Sequence, residues 1–143
     1  MLFRLDNAVA GNSANDLKNG AVSARIVHVG TITSILYLTG LTSISFYGGM
    51  ALDSDLKAAK KYEIMISNDS VNFTSVFSGF AAKNNSFPLI TVDMASILAG
   101  GVTLTDGSTA NASTPLQIRF AFDGQGPAGT RLYNIDDLTF NYS

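Results

Sequence analysis

Cysteine and tryptophan are both absent from the 143 residues. The missing cysteine removes disulfides, thiolate zinc sites and cysteine catalysis together. His28 is the single histidine, so no histidine-based metal cluster can form. A Ser-His-Asp triad lacks its Gly-x-Ser-x-Gly elbow. Charged residues make up only 14% of the chain and the net charge is −2, with no basic stripe, which excludes nucleic acid as a partner. No apolar run reaches the roughly 18 residues of a membrane helix. No basic start followed by an apolar core marks a signal peptide. If the protein is exported, the chain is therefore expected to be a domain of a longer one. The glycine pairs Gly48-Gly49 and Gly100-Gly101 lack the strand and lysine context of a phosphate loop.

What is present is a hydrophobic content of 46% and a mean hydropathy of +0.22. Those values exclude disorder and supply a core for one domain over 1–143. The polar surface must be built from Ser, Thr, Asn and Gly, a composition common in secreted and surface β-proteins.

Alternating patterns recur along the chain. Leu2 to Asp6 reads as a short first strand, followed by a polar loop to Gly20. Val22, Ala24 and Ile26 form one strand. Ile32, Ser34, Leu36 and Leu38 form the next, with Gly30 as the turn between them. Ile44 and Phe46, then Tyr62, Ile64 and Ile66, then Phe73, Ser75 and Phe77 continue the series. Ser67-Asn68-Asp69-Ser70 is a turn cluster. Phe87 to Val92 reads as a buried strand. Asp93 is an N-cap, Met94 to Ala99 a short helix, and Gly100-Gly101 its stop. Thr105 to Thr114 reads as a loop. Leu116, Ile118, Phe120 and Phe122 alternate with Gln117, Arg119 and Ala121, so the first set is expected inside. Asp53 to Lys61 and Asp123 to Gly129 read as loops.

The closing stretch Leu132 to Tyr142 holds two adjacent acids. Leu138, Phe140 and Tyr142 share one phase and Ile135 the other. One extra residue at Asp136-Asp137, a β-bulge, would bring all four to the core. The result is an all-β chain: a two-sheet antiparallel, jelly-roll-like β-sandwich with one short helix. Its closing strand should pair inside a sheet beside early strands, with the termini close together.

Several pieces in order carry a resemblance. They are Ser23-Ala24-Arg25-Ile26, Leu41 to Gly48, Tyr62 to Asp69, Pro115 to Phe120 and Asn134-Ile135-Asp136-Asp137-Leu138. The chain resembles the jelly-roll modules of bacterial secreted and surface proteins, a group that includes MAM-type, laminin G-like and carbohydrate-binding-module-like domains. The resemblance implies a non-catalytic sandwich used for binding or adhesion. It also implies a structural calcium with a closing-strand acid, Asp136 or Asp137, as one ligand. The chain departs from the sugar-binding members in having no tryptophan.

Calcium takes six to eight oxygens. Asp136 and Asp137 offer two, Asp6 is the acid a returning first strand would bring close, and Asn7 to Asn15 offers amide and backbone oxygens. The competing expectation is that one of the pair accepts backbone amides at the bulge while the other is exposed. Asp53, Asp55, Asp69 and His28 read as structural or surface residues. Tyr47, Arg131 and Tyr133 are the candidate ligand contacts, since both tyrosines are expected to face away from the core beside loops. The competing expectation is that they cover a sheet face. The function expected is a non-enzymatic extracellular or cell-surface module whose partner is a glycan or a surface protein. The alternative is a self-associating component of a virion, fibre or surface layer.

Overall fold

The computed structural model describes residues 3–11, 16–50, 61–82, 86–123 and 132–143. The strands are β1 (Phe3–Gly11), β2 (Ser23–Ser34), β3 (Leu41–Gly49), β4 (Lys61–Ser67), β5 (Thr74–Phe80) and β6 (Leu89–Asp93). The helix α1 (Met94–Ala99) follows, then β7 (Val102–Thr103), β8 (Thr109–Ala110), β9 (Gln117–Asp123) and β10 (Leu132–Tyr142). The main hydrogen-bonded path runs β5-β4-β9-β2-β10-β3-β6, with β1 on β2. All these pairings are antiparallel.

β2 turns this path into two layers. Its first half, Ala24 to Val27, pairs with β10, and its second half, Gly30 to Thr33, pairs with β9. β1 runs along the opposite edge of both halves. β9 and β10 therefore leave β2 from the same edge and part into separate sheets. Ring contacts between the layers establish the sandwich. Phe46 on β3 meets Phe120 on β9 edge to face at 5.2 Å and Tyr62 on β4 at 5.9 Å. Tyr133 on β10 stacks on Phe122 at 5.0 Å and on Tyr62 at 5.8 Å. The core is the set of side chains between these sheets, including Ile26, Ile44, Ile64, Ile66 and Ile118.

Gly30 is not a turn between two strands, as the sequence pattern suggests, but the bend inside one. A Cβ there would lie 2.5 Å from the Asn7 carbonyl oxygen and 2.6 Å from a methyl of Ile26. The β1–β2 register shifts at this point and Asn7 takes a positive φ of 50°. A glycine lets the two backbones meet where the sheet folds over.

The α1 boundaries agree with the capping pattern. Asp93 accepts from the Ser96 backbone N–H at 3.1 Å, and Met94 and Leu98 are buried where the helix packs on β3. β6 departs from expectation: only Val92 is buried, because β6 is an edge strand with one face in solvent. The stretch Thr105 to Thr114, read as a loop, contains β8, which pairs with β7 just before it. Leu116, just before β9, and Ile118, Phe120 and Phe122 on it are buried as expected. Gln117 is buried as well, on the opposite face, where its Nε2 donates to the Ser34 carbonyl at 3.0 Å.

β10 lies between β2 and β3, an interior position. Phe3 and Phe140 stack at 6.2 Å, so the two ends of the described chain meet. The bulge is where the acid pair placed it. Asp136 pairs with Tyr47 and Thr139 with Ser45, one residue too many on β10, and Asp137 takes a positive φ of 52°. Ile135 is buried and Leu138 and Phe140 pack against the core, but Tyr142 is exposed. A second register shift between Asn141 and Tyr142 ends the alternation before Tyr142 reaches the interior.

Candidate functional site

The acids on β10 hold a clasp of amide groups. Both Asp136 oxygens accept backbone N–H groups: Oδ2 from Asn19 at 2.7 Å and Oδ1 from Asp137 at 2.8 Å. Asp137 accepts the Asn19 side-chain amide at 3.0 Å. Asp6 is elsewhere, on β1 against Arg4 at 3.2 Å. Among the described residues no three of His, Cys, Asp and Glu gather as a metal site. Asn12 to Asn15, part of the expected ligand loop, lie outside the described residues. Melting curves with and without chelator are expected to superimpose, whereas Asp136→Ala lowers the melting temperature by releasing the Asn19 amide. A chelator-dependent drop would return calcium to the pair.

Tyr133 does not face outward. It is 0% exposed. The reason is the same bulge: residues two apart share a face, so carrying Ile135 inward carries Tyr133 with it. Its hydroxyl is buried with no hydrogen-bond partner among the described residues, and burial pushes its pKa far up. Tyr133→Phe should therefore hold or raise stability, by roughly 1 kcal/mol, since it removes an unpaired buried hydroxyl. A loss of that size in thermal melts would show a partner for the hydroxyl. Tyr47 is half-buried and lies against Phe87 at 5.9 Å. Arg131, Asp53 and Asp55 lie outside the described residues, as does the His28 side chain. Of the candidate contacts, Tyr133 is thus in the core and Tyr47 packs against Phe87.

A concavity lies on the outward face of the β5-β4-β9-β2-β1 layer. It is a groove of about 350 Å³ lined by Phe3, Arg4, Thr33, Ser34, Ile35, Ser70 and Gln117. Strand register aligns Arg4, Thr33, Arg119 and Met65 in one row across four strands. Arg119, one step along β9 from Gln117, is half-buried, and its Nε donates to the Thr33 hydroxyl at 2.9 Å. The Phe73 ring lies 3.6 Å from the guanidinium carbon, a cation–π stack. Burial first, then the charge of Arg4, lowers the Arg119 pKa, and Asp6 opposes them. Gln117 is 8% exposed and its Oε1 has no hydrogen-bond partner among the described residues.

The β4–β5 turn holds Ser70 and Phe73 in place. Asp69 accepts the backbone N–H groups of Val71 at 2.9 Å and Asn72 at 2.8 Å, and the Asn72 side-chain amide at 3.0 Å. These bonds, Asn72 foremost, hold its pKa far below the ordinary carboxylate range. The stabilisation is complete above the unfolded value of about 4 and fades only as pH falls through the lower folded value. Ser70, at a φ of 67°, hydrogen-bonds the Tyr37 hydroxyl and so ties this turn to the loop after β2. Ile35, Leu36, Tyr37 and Val71 are exposed around this end. The sequence signals for the groove were the shared phase of Gln117 and Arg119 and the Ser67–Ser70 turn cluster. Neither says that Phe73 will cover Arg119.

No protein-family model matches the sequence, and no curated relative does. Solved structures do match in fold. The K1 cleaved adhesin domain of Lys-gingipain from Porphyromonas gingivalis W83 superposes with a TM-score of 0.66 at 10% identity, covering 99% of this chain and 90% of that one. The K2 cleaved adhesin domain of Lys-gingipain gives 0.63 at 13% identity, covering 99% and 89%. TmCBM61 in complex with β-1,4-galactotriose gives 0.61 at 9% identity, covering 99% and 88%. The chain shares with these carbohydrate-binding and adhesin domains a jelly-roll-like antiparallel β-sandwich fold.

Proposed function

We propose that the chain is a non-catalytic surface binding module and that its outward groove takes a glycan. The observation that carries this is the groove itself, an open concavity with Gln117 in its lining. Thr33, Ser34 and Ser70 add hydroxyls to the lining, and Tyr37 adds an exposed ring beside it, which suits the apolar face of a sugar. No carboxylate lines this groove, and glycoside hydrolysis uses two. The fold shared with carbohydrate-binding and adhesin domains supports the same reading.

A glycan array followed by titration calorimetry tests it. Binding is expected, and Tyr37→Ala and Gln117→Leu should each weaken it about tenfold or more in protein that still melts cooperatively. An array without a hit, or affinity unchanged in both variants, would overturn the reading. Sedimentation separates it from the self-assembling alternative. A concentration-independent monomer agrees with a binding module, and a defined trimer or larger oligomer favours self-association.

A further inference from the structure

We infer that the groove takes an acidic sugar, with its carboxylate docked on the terminal nitrogens of Arg119. This rests on reading the groove as a glycan site and adds the class of glycan. Arg119 carries five N–H donors. Among the described residues only Nε has an acceptor, the Thr33 hydroxyl. Phe73 covers one face of the guanidinium and fixes its plane. The edge bearing the two terminal nitrogens is left as a rigid fork, the geometry that meets a planar carboxylate with two parallel bonds.

Charge favours the same occupant. Of the two arginines in this row, Arg4 already has an acid, Asp6. Arg119 makes no ion pair among the described residues, although it is half-buried and feels the charge of Arg4, opposed by the more weakly felt Asp6. A partly desolvated cation without a counterion is costly, and a bound anion relieves that cost. The adjoining groove lined by Thr33, Ser34, Ser70 and the Gln117 amide offers hydrogen bonds to a polyol. An acidic side chain on a peptide would match the arginine but leave most of that lining unused. A sugar with a ring carboxylate engages both.

The test is binding by the intact chain to uronate oligosaccharides of several sugars and linkages, each paired with its neutral methyl ester. At least one uronate should bind about tenfold or more tightly than its ester, the scale of one charge-assisted pair. The preference should shrink as salt is raised. Arg119→Gln should weaken binding of the acid far more than binding of the ester, so that the two become nearly equal. Arg119→Lys should restore only part of the preference, because an ammonium cannot fork. If Arg119→Gln fails to fold, Thr33→Val reports instead, since freeing Nε lets the guanidinium turn and should erode the preference. Equal binding of acids and esters by the wild type would overturn the acidic inference and leave the glycan reading standing. Absence of binding to any glycan, acidic or neutral, would overturn both. So would binding only to an acidic peptide such as oligoglutamate, which would assign the arginine to a protein partner.

Discussion

Phe46→Ala is expected to lower stability by about 3–5 kcal/mol, from lost burial plus the cavity left behind. Phe46 is 0% exposed and reaches from β3 into the other layer, touching Phe120 and Tyr62 edge to face. Two sheets held by side-chain contact cannot close readily over a missing ring, because each is stiffened by its own hydrogen bonds. In a chain of this size the loss corresponds to a fall of roughly 10 °C or more in melting temperature. Phe120→Ala should cost a similar amount. The double variant should fall short of the sum, because about 0.5–1.5 kcal/mol belongs to the ring pair itself. Chemical denaturation of the four proteins measures the cycle. A loss under about 1 kcal/mol for Phe46→Ala would mean that the layers do not meet there.

Arg25→Met is expected to cost about 2–4 kcal/mol, by stranding a buried charge. The Asp16 side chain is 2% exposed, and Arg25 meets both its oxygens. Asn134 donates to the same carboxylate at 3.0 Å and to the Ser23 hydroxyl at 3.1 Å, and accepts the Leu17 N–H at 3.1 Å. These bonds pin the segment after β1 onto β10, just above the clasp between Asn19 and the acid pair. Arg25 keeps a quarter of its side-chain surface in solvent, so water recovers part of the lost interaction. The effect is therefore placed below that of a fully enclosed pair. Asp16→Asn in the Arg25→Met background should recover some stability, since it removes the stranded charge. A double variant less stable than Arg25→Met alone would mean that Asp16 serves the fold through its hydrogen bonds and not its charge.

Neither the buried pair nor its asparagine could be read from the sequence. Asp16 and Lys18 sit in a polar stretch that looks like solvated loop, and Asn134 looks like a surface residue of a closing strand. Only the pairing of β2 with β10 brings Ser23, Arg25 and Asn134 to one spot. Tyr133 shows the same limit from the other side. Its loop-exit position suggested exposure, but its phase relative to Ile135 already put it inside once the bulge was accepted. The groove was half legible. Alternation put Gln117 and Arg119 on one face, yet burial of Gln117 depends on the loop after β2, and the stack on Arg119 depends on how β5 enters beside β4.

By itself the sequence determined an all-β chain, the inward face of β9, the helix with its Asp93 cap and the bulge at the acid pair. Each of these is written in neighbours a few residues apart: a period of two, a capping residue, a break in phase. The tertiary structure alone decided that Gly30 is a bend, that Asp136 holds an amide clasp, and that Arg119, Thr33, Phe73 and Gln117 share one outward surface. Those outcomes join residues tens of positions apart. Strand order governs such contacts, and strand order follows from which pairing buries the most apolar surface over the whole chain, a quantity no local pattern carries.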